Sequence, residues 1–333
     1  MRMLSHTLTT AAAVTLAAAL TTGAAPAPAP SASSASSASS VGTAFTLPGS
    51  KVYPEGIASD PRTGTVYVGS YADGTVYRAR PGARTAEVFL PSGTDGRRTA
   101  NGLRVDARGR LWVTDSTAGV SVYDTATGAR LARFEVDPAV PHFVNDLVVT
   151  PDGTAYLTDS VRAVVYRVTP AQLRAGSGPL EVAYDLGRHV TPPPPGRFTL
   201  NGITADRDGR YLLTVDMTAG ELHRVDLRTG ALSRVTLTGG DLKAADGIQL
   251  SPTGTLRAAH NVTNTLTRWQ LTPDGTRARL TRTLTDPSLQ IPTTLSHTPG
   301  RTLVVRSQFD KGGPLTPSTG TPTTFSVAAV RGL

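Results

Sequence analysis

Side chains that carry oxygen ligands recur at a regular spacing along the 333-residue sequence. Five similar segments are each led by a carboxylate or an amide, and a sixth, degenerate copy is led by a hydroxyl group. The lead residues are Glu55, Asn101, Asn145, Asn201, Asp246 and Thr293. Successive lead residues are 46, 44, 56, 45 and 47 positions apart, which indicates one structural unit repeated six times.

This set of side chains suits a divalent metal ion. Ca²⁺ accepts carboxylates, amide carbonyls and waters in irregular geometry, whereas Mg²⁺ tolerates less distortion. Since the sequence contains no cysteine, thiolate metal sites, disulfides and cysteine nucleophiles are excluded. We therefore expect one divalent cation, with Ca²⁺ as the first candidate and Zn²⁺ or Mn²⁺ as alternatives, and an open position for a substrate.

An alternative interpretation of the same residues needs no metal. Glycine follows the lead residue in four of the six copies, and Asn-Gly or Asp-Gly pairs form tight turns. The lead residues would then simply form the tight entry to each strand. Glu55 favours a ligand role instead, because glutamate is a poor turn former.

Short strands follow each lead residue, and they determine the predicted fold. A repeat of about 40–50 residues with several strands is typical of a β-propeller. We predict an all-β, six-bladed β-propeller over residues 42–333, with two β-sandwiches as the alternative. Because the sixth copy is short of strands, Ala44–Leu47 is expected to close the ring by pairing with Phe325–Val330.

In a propeller the first strand of each blade lines the central channel. The lead residues are therefore expected to meet at one mouth of that channel, while turns such as 151–153 lie on the opposite face. Asp115, Asp159 and Asp216 recur at the ends of second strands, and this repetition favours structural hydrogen bonds over catalysis.

Four of the blade starts resemble those of a known protein family. The matching segments read Tyr-Pro-Glu55-Gly, Phe143-Val-Asn145-Asp146, Leu-Asn201-Gly-Ile and Ala-Asp246-Gly-Ile. They are similar to the metal-binding blade starts of the regucalcin/gluconolactonase group of six-bladed propellers, and the related diisopropyl-fluorophosphatase-type calcium hydrolases share their order. The resemblance implies that Glu55, Asn145, Asn201 and Asp246 bind the cation and that the protein hydrolyses a lactone or related small ester.

The resemblance also implies roles around the cation. Asp246 is the candidate catalytic general base, with direct attack by its carboxylate as the alternative. Members that act on sugar lactones carry an arginine two residues before the third-blade asparagine. Phe143 stands there in this sequence, which predicts a more apolar pocket. Asn101, His142, Phe143 and Asp146 are the candidate substrate-pocket residues.

Composition limits the partners of the protein. The formal net charge is +8, but its 30 arginines are scattered along the sequence and aromatic residues make up only 5%. Without a basic run or a stacking platform, nucleic-acid binding is not expected. We expect a small-molecule substrate and a monomer. Two functional alternatives remain open: a non-catalytic propeller that binds a ligand or cell-wall component, and a relative of the strictosidine-synthase-like propellers.

The N terminus has the pattern of a secretory signal. A positively charged start precedes the apolar run 8–20, and residues 25–41 form an Ala/Pro/Ser-rich linker. The apolar run is too short to span a bilayer, which needs about 20 residues. We therefore predict a signal peptide at residues 1–24, a secreted mature protein and no membrane association after cleavage.

Overall fold

The structure is a computed structural model that describes residues 39–191, 193–194 and 196–333. The predicted signal peptide and residues 25–38 of the predicted linker lie outside this part of the chain. Among the described residues, no helix is long and apolar enough to cross a membrane.

Six sheets, one for each sequence repeat, contain the strands of the described residues. Blade 1 consists of Pro54–Ser59, Val66–Ser70, Val76–Ala79 and Glu87–Leu90, and blade 2 of Leu103–Val105, Arg110–Asp115, Gly119–Asp124 and Arg130–Glu135, with Ser177–Pro179 as a parallel edge strand. Blade 3 consists of Val144–Val149, Ala155–Asp159, Val164–Val168 and Glu181–Asp185, and blade 4 of Leu200–Ala205, Tyr211–Asp216, Glu221–Asp226 and Leu232–Arg234. Blade 5 consists of Ala245–Leu250, Thr255–His260, Thr265–Leu271 and Arg277–Thr285, with Thr236–Thr238 as a parallel edge strand, and blade 6 of Pro292–Thr298, Arg301–Arg306, Ser326–Arg331 and Ser40–Thr46. The helical elements are an α-helix at Pro170–Ala175 and 3₁₀ turns at Thr94–Gly96 and Pro287–Leu289.

The first strand of the described residues closes the ring. Ser40–Thr46 pairs antiparallel with Ser326–Arg331 and forms the outermost strand of blade 6. The predicted ring closure is confirmed, although the strand begins four residues before the predicted start at Ala44. The inner strands of successive blades contact one another all the way round, including those of blades 6 and 1. The all-β, six-bladed propeller is thus confirmed.

The core is divided into apolar layers between neighbouring blades. Successive side chains of a strand point to opposite faces of its sheet. In blade 1, Val66 and Val68 therefore pack toward blade 6, whereas Tyr67 packs toward blade 2. In blade 2, Leu111 packs toward blade 1 and Trp112 packs toward blade 3. Because both faces of each sheet are buried, the second strands are largely continuous apolar runs and do not alternate between apolar and polar residues.

Glycines after the lead residues allow neighbouring inner strands to approach each other closely. A Cβ atom on Gly56 would lie 1.8 Å from the carbonyl oxygen of Asn101, and one on Gly202 would lie 2.5 Å from that of Asp246. Both glycines lie inside inner strands and not in turns. The turn interpretation of these glycines is therefore wrong: they are required because the backbone of the next blade occupies the space of a side chain.

We expect Gly56→Ala to lower the free energy of unfolding by about 3 kcal/mol or more, because the new methyl group would overlap backbone atoms that cannot rotate away. Gly42→Ala is the matched control, since the nearest atom to a Cβ atom at that position is 4.0 Å away. Urea unfolding of both variants measures the difference. Equal free energies of unfolding would contradict the packing role of Gly56.

Candidate functional site

The lead residues lie where the inner strand pairs irregularly with the second strand. In blade 1 the register shifts between Pro54 and Ile57, and blades 3 to 6 show the same shift at their lead positions. Such β-bulges turn a side chain out of the regular alternation of the strand. As a result, Glu55 of blade 1 and Asp246 of blade 5 come close enough to interact electrostatically.

Backbone carbonyl groups of the lead residues connect neighbouring blades. The hydroxyl group of Thr158 donates a hydrogen bond of 2.7 Å to the carbonyl oxygen of Asn201. That of Thr293 donates one of 2.8 Å to the carbonyl oxygen of Glu55. The lead residues are thus fixed through their main chain, and their side chains remain available for other contacts.

Three buried oxygen atoms of the lead residues have no hydrogen-bond partner among the described residues: Glu55 Oε2, Asn101 Oδ1 and Asn145 Oδ1. Asn145 is oriented by Ser160, because its Nδ2 donates a hydrogen bond of 2.9 Å to Ser160 Oγ. An unsatisfied buried acceptor costs about 1–3 kcal/mol. Since carboxylate and amide oxygens are acceptors, a cation or a hydrogen-bond donor would satisfy them, and an anion would not.

Two amide side chains surround the carboxylate of Asp246. Its Oδ2 accepts a hydrogen bond of 2.9 Å from Nδ2 of Asn261. The amide of Asn201 also lies close to this carboxylate and favours its charged form. Asp246 and Asn201 are only 5% and 4% exposed, so water contributes little to their solvation.

Three buried carboxylates interact in the channel. Burial, followed by the charges of Asp246 and Asp146, raises the pKa of Glu55 well above its ordinary value. Burial and the charge of Asp146 raise the pKa of Asp246 to about 7, although Asn261 opposes the shift. Arg104 Nη2 lies 3.4 Å from Asp146 Oδ2 and balances part of the charge. When all three carboxylates are ionised, the single guanidinium leaves two negative charges uncompensated, which a divalent cation would neutralise.

The donor set determines which ion fits this site. In the part of the chain that the structure describes, no group of three or more imidazole or carboxylate side chains is arranged to hold a metal ion. A cation would therefore need the amide oxygens of Asn145 and Asn201 in addition to Glu55 and Asp246. Mixed carboxylate and amide oxygens are typical of Ca²⁺ sites. The unsatisfied oxygens of Glu55 and Asn145 are consistent with such an ion.

A pocket of about 770 Å³ lies at the same end of the propeller. Tyr53, Tyr71 and Phe143 form much of its wall, and Arg98 contributes a positive charge. Burial and the nearby charge of Glu55 raise the pKa of Tyr71, so this wall of the pocket adjoins the carboxylates. The pocket thus has an aromatic wall next to the buried carboxylates, although none of these carboxylates lines it.

His142 and Phe143, two of the predicted substrate-pocket residues, line this pocket. His142 Nδ1 lies 2.7 Å from the carbonyl oxygen of Val140 and donates a hydrogen bond to it. The Nε2 atom of His142 is buried and has no hydrogen-bond partner among the described residues. Phe143 packs against Phe198 with 4.6 Å between the ring centroids.

The other two predicted pocket residues, Asn101 and Asp146, are buried in the channel, where they are 1% and 3% exposed. Asp146 does not orient the neighbouring Asn145. Instead, its Oδ1 accepts a hydrogen bond of 2.8 Å from the backbone N–H of Leu147. Neither side chain lines the pocket wall, and Asp146 interacts with Glu55 and Asp246 in the channel.

The sequence model of the SMP-30/gluconolactonase/LRE-like region matches residues 53–307, which is most of the chain. The chain belongs to this family. The match extends from two residues before Glu55 to Ser307, directly after the second strand of blade 6, and so includes all six lead residues. No protein of curated function matches the sequence.

Solved structures show the same fold as this SMP-30/gluconolactonase family member. The calcium-binding protein regucalcin from Agrobacterium tumefaciens is 18% identical with a TM-score of 0.61, covering 87% of this chain and 95% of that one. A gluconolactonase from Xanthomonas campestris is 20% identical with a TM-score of 0.60, covering 87% and 89%. A streptogramin B lyase is 14% identical with a TM-score of 0.56, covering 88% and 97%. These named proteins differ in activity, so the fold alone does not decide the reaction.

Polar residues at the ends of second strands are structural in this family member. Asp159 Oδ1 accepts a hydrogen bond of 2.9 Å from the backbone N–H of Val161, and Asp216 Oδ1 accepts one of 3.0 Å from that of Thr218. Both Asp residues cap the turn that follows their strand. The repeated structural hydrogen bonds that the sequence predicted are thus present at both positions.

Sequence reasoning missed the residues that orient the lead side chains. Ser160 and Asn261 bind Asn145 and Asp246, respectively, and each directly follows the second strand of the same blade. The two residues therefore occupy the same position in their repeats. An alignment of the repeats over their second strands would have revealed this. Arg104 was missed because it lies three residues after a lead residue, where no other copy has a charged side chain.

We expect the stability of the cation-free protein to report the ionisation of Asp246. Its folded pKa of about 7 lies above the value of about 3.9 in an unfolded chain, so ionisation destabilises the fold as the pH rises through about 7. Asp246→Asn cannot ionise and should gain stability relative to wild type between about pH 6 and pH 8. Urea unfolding in EDTA at both pH values measures this difference. A difference that does not change with pH would contradict the raised pKa.

Proposed function

We propose that this protein is a secreted, divalent-metal-dependent hydrolase of a lactone or related small ester, with Ca²⁺ as the first candidate ion. The observation that carries the proposal is the set of buried acceptor atoms on Glu55, Asn101 and Asn145 that lack partners among the described residues. They lie in a channel that also holds the buried carboxylates of Asp146 and Asp246. Membership of the SMP-30/gluconolactonase family supports the reaction class.

The proposed chemistry assigns a role to each polar side chain. Glu55, Asn145, Asn201 and Asp246 would hold the cation, whose charge would polarise the substrate carbonyl group. Asp246 is the proposed proton acceptor for the attacking water; because coordination would lower its pKa, it would rely on the cation to make that water more acidic. The hydrogen bond from Asn261 fixes the orientation of this carboxylate.

The mouth pocket favours an apolar substrate over a sugar lactone. Its wall contains the rings of Tyr53, Tyr71 and Phe143, beside polar side chains such as those of Arg98, Ser116 and His142. Phe143 also occupies the position at which family members that act on sugar lactones carry arginine. An aryl or alkyl lactone would bury its apolar surface against these rings.

Glu55→Gln preserves the shape of the side chain and removes one charge from the proposed cation site. We expect the Ca²⁺ affinity to fall at least about tenfold, because ligand charge sets affinity in oxygen-ligand sites. Calorimetric titration of EDTA-stripped protein measures it, and lactone hydrolysis should fall in parallel. Glu87→Gln is the control, since Glu87 is an exposed residue of blade 1 that pairs with Arg78. Identical Ca²⁺ titration curves for wild type and Glu55→Gln would refute the ligand assignment.

Metal dependence is tested separately by thermal unfolding with EDTA and with Ca²⁺ added back. A cation that binds only the folded state raises the melting temperature, and a larger Ca²⁺-dependent rise at pH 8 than at about pH 6 is expected because protons compete for Asp246. Undiminished lactone hydrolysis in EDTA would refute metal dependence. Ca²⁺ binding without any ester hydrolysis would favour the ligand-binding propeller instead.

Substrate selection is expected to depend on Phe143. Phe143→Ala should lower kcat/KM for an aryl lactone such as dihydrocoumarin by about tenfold, mainly through KM, because the ring provides binding area rather than chemistry. Hydrolysis of gluconolactone should change less. Leu131→Ala, on the outer strand of blade 2 and 45% exposed, is the control. An equal loss for both substrates would contradict the role of Phe143 in selection.

A further inference from the structure

We propose that the face of the propeller opposite the mouth carries a second binding site, for a small amphipathic carboxylate. A pocket of about 420 Å³ opens there between the inner hairpin turns of blades 2, 3 and 4. These turns join the first and second strands, so they lie at the other end of the channel from the lead residues. The volume is within the range of small-molecule sites.

The floor of this pocket is apolar. Val105, Val148 and Ala205 come from the inner strands of blades 2, 3 and 4, and Leu173 of the helix Pro170–Ala175 closes one side. The first three are half-buried against the inter-blade cores, and Leu173 is buried in one of them. A ligand with an apolar body would therefore complete the burial of these side chains.

Positive charge predominates around the pocket. Its charged side chains are Arg104, Arg108, Arg110, Arg174, Arg207, Asp106, Asp152 and Asp206. Three of the five arginines already have an acidic partner, since Arg104 pairs with Asp146, Arg110 with Asp106 and Arg207 with Asp208. Arg108 and Arg174 are exposed and have no acidic partner among the described residues.

Among the described residues, no aspartate of the pocket forms an ion pair with either of these two arginines. Asp106 Oδ2 lies 2.7 Å from Arg110 Nε, and Asp206 Oδ2 lies 2.7 Å from Arg210 Nε. Asp152 accepts hydrogen bonds from the hydroxyl groups of Thr150 and Thr154. Two guanidinium groups therefore remain available beside the apolar floor.

This combination selects the chemical class of the ligand. A guanidinium group presents parallel N–H donors that match the two oxygens of a carboxylate. The apolar floor requires a hydrocarbon or aryl body behind that head group. An inorganic anion lacks the body and a neutral lipid lacks the head group, so neither uses both parts of the pocket.

Calorimetric titration with octanoate, octan-1-ol and acetate tests the proposal. We expect octanoate to bind at least about tenfold more tightly than either of the others, because a charged hydrogen bond and the buried chain both contribute. Octan-1-ol binding as tightly as octanoate would overturn the role of the arginines, and absence of octanoate binding would overturn the site. The test needs neither Ca²⁺ nor lactone hydrolysis, so its outcome is independent of the proposed activity.

Variants locate the binding. The double variant Arg108→Ala/Arg174→Ala should weaken octanoate binding at least about tenfold. Arg228→Ala/Arg301→Ala removes the same charge from exposed positions in blades 4 and 6, and it should leave the affinity unchanged. Arg98→Ala removes the positive charge of the mouth pocket. If that variant, and not the first one, lost octanoate binding, the ligand would occupy the mouth and the proposal would be wrong.

Discussion

The propeller depends on backbone contact between the inner strands of neighbouring blades. Glycine follows the lead residue in four blades, and at Gly102 and Gly247, as at Gly56 and Gly202, a Cβ atom would lie less than 3 Å from the backbone of the next blade. The strands consequently approach each other as closely as backbones can. This close approach keeps the channel narrow and brings side chains from all six blades to one mouth.

Two blades depart from this rule, and one departure shapes the electrostatics of the channel. Asp146 and Thr294 stand where the other blades have glycine, in blades 3 and 6, which are opposite each other in the ring. Asp146 adds a third carboxylate to those of Glu55 and Asp246, and Arg104 offsets only part of that charge. The fold thus buries three carboxyl groups whose pKa values are raised because ionisation without a partner is costly there, and a structural role does not require them. Such an arrangement is typical of a binding site.

The sequence predicted the fold more completely than the site. The recurrence of the lead residues every 44–56 positions and the apolar second strands were enough to predict six blades, since each repeat must bury both faces of its sheet. The positions of Glu55 and Asp246 at one mouth followed from strand direction. However, a β-bulge in each of their inner strands turns these side chains toward one another. Such a bulge cannot be recognised from the types of residue in the sequence. The mutual arrangement of Arg104, Asp146 and Glu55 depends on contacts between different blades, which a single repeat does not contain.

Both ends of the described chain lie in blade 6. Ser40 pairs with Arg331, and Ser39 Oγ donates a hydrogen bond of 3.3 Å to the carbonyl oxygen of Gly332. Because these ends are adjacent, the propeller is nearly a closed circle of polypeptide. Its architecture is therefore compatible with circular permutation: a short linker could join the present ends, and new ones could be opened in an exposed hairpin such as that at Gly82, where no neighbouring atom would contact an added side chain. The blade that now joins the two ends would then become continuous, and another blade would close the ring.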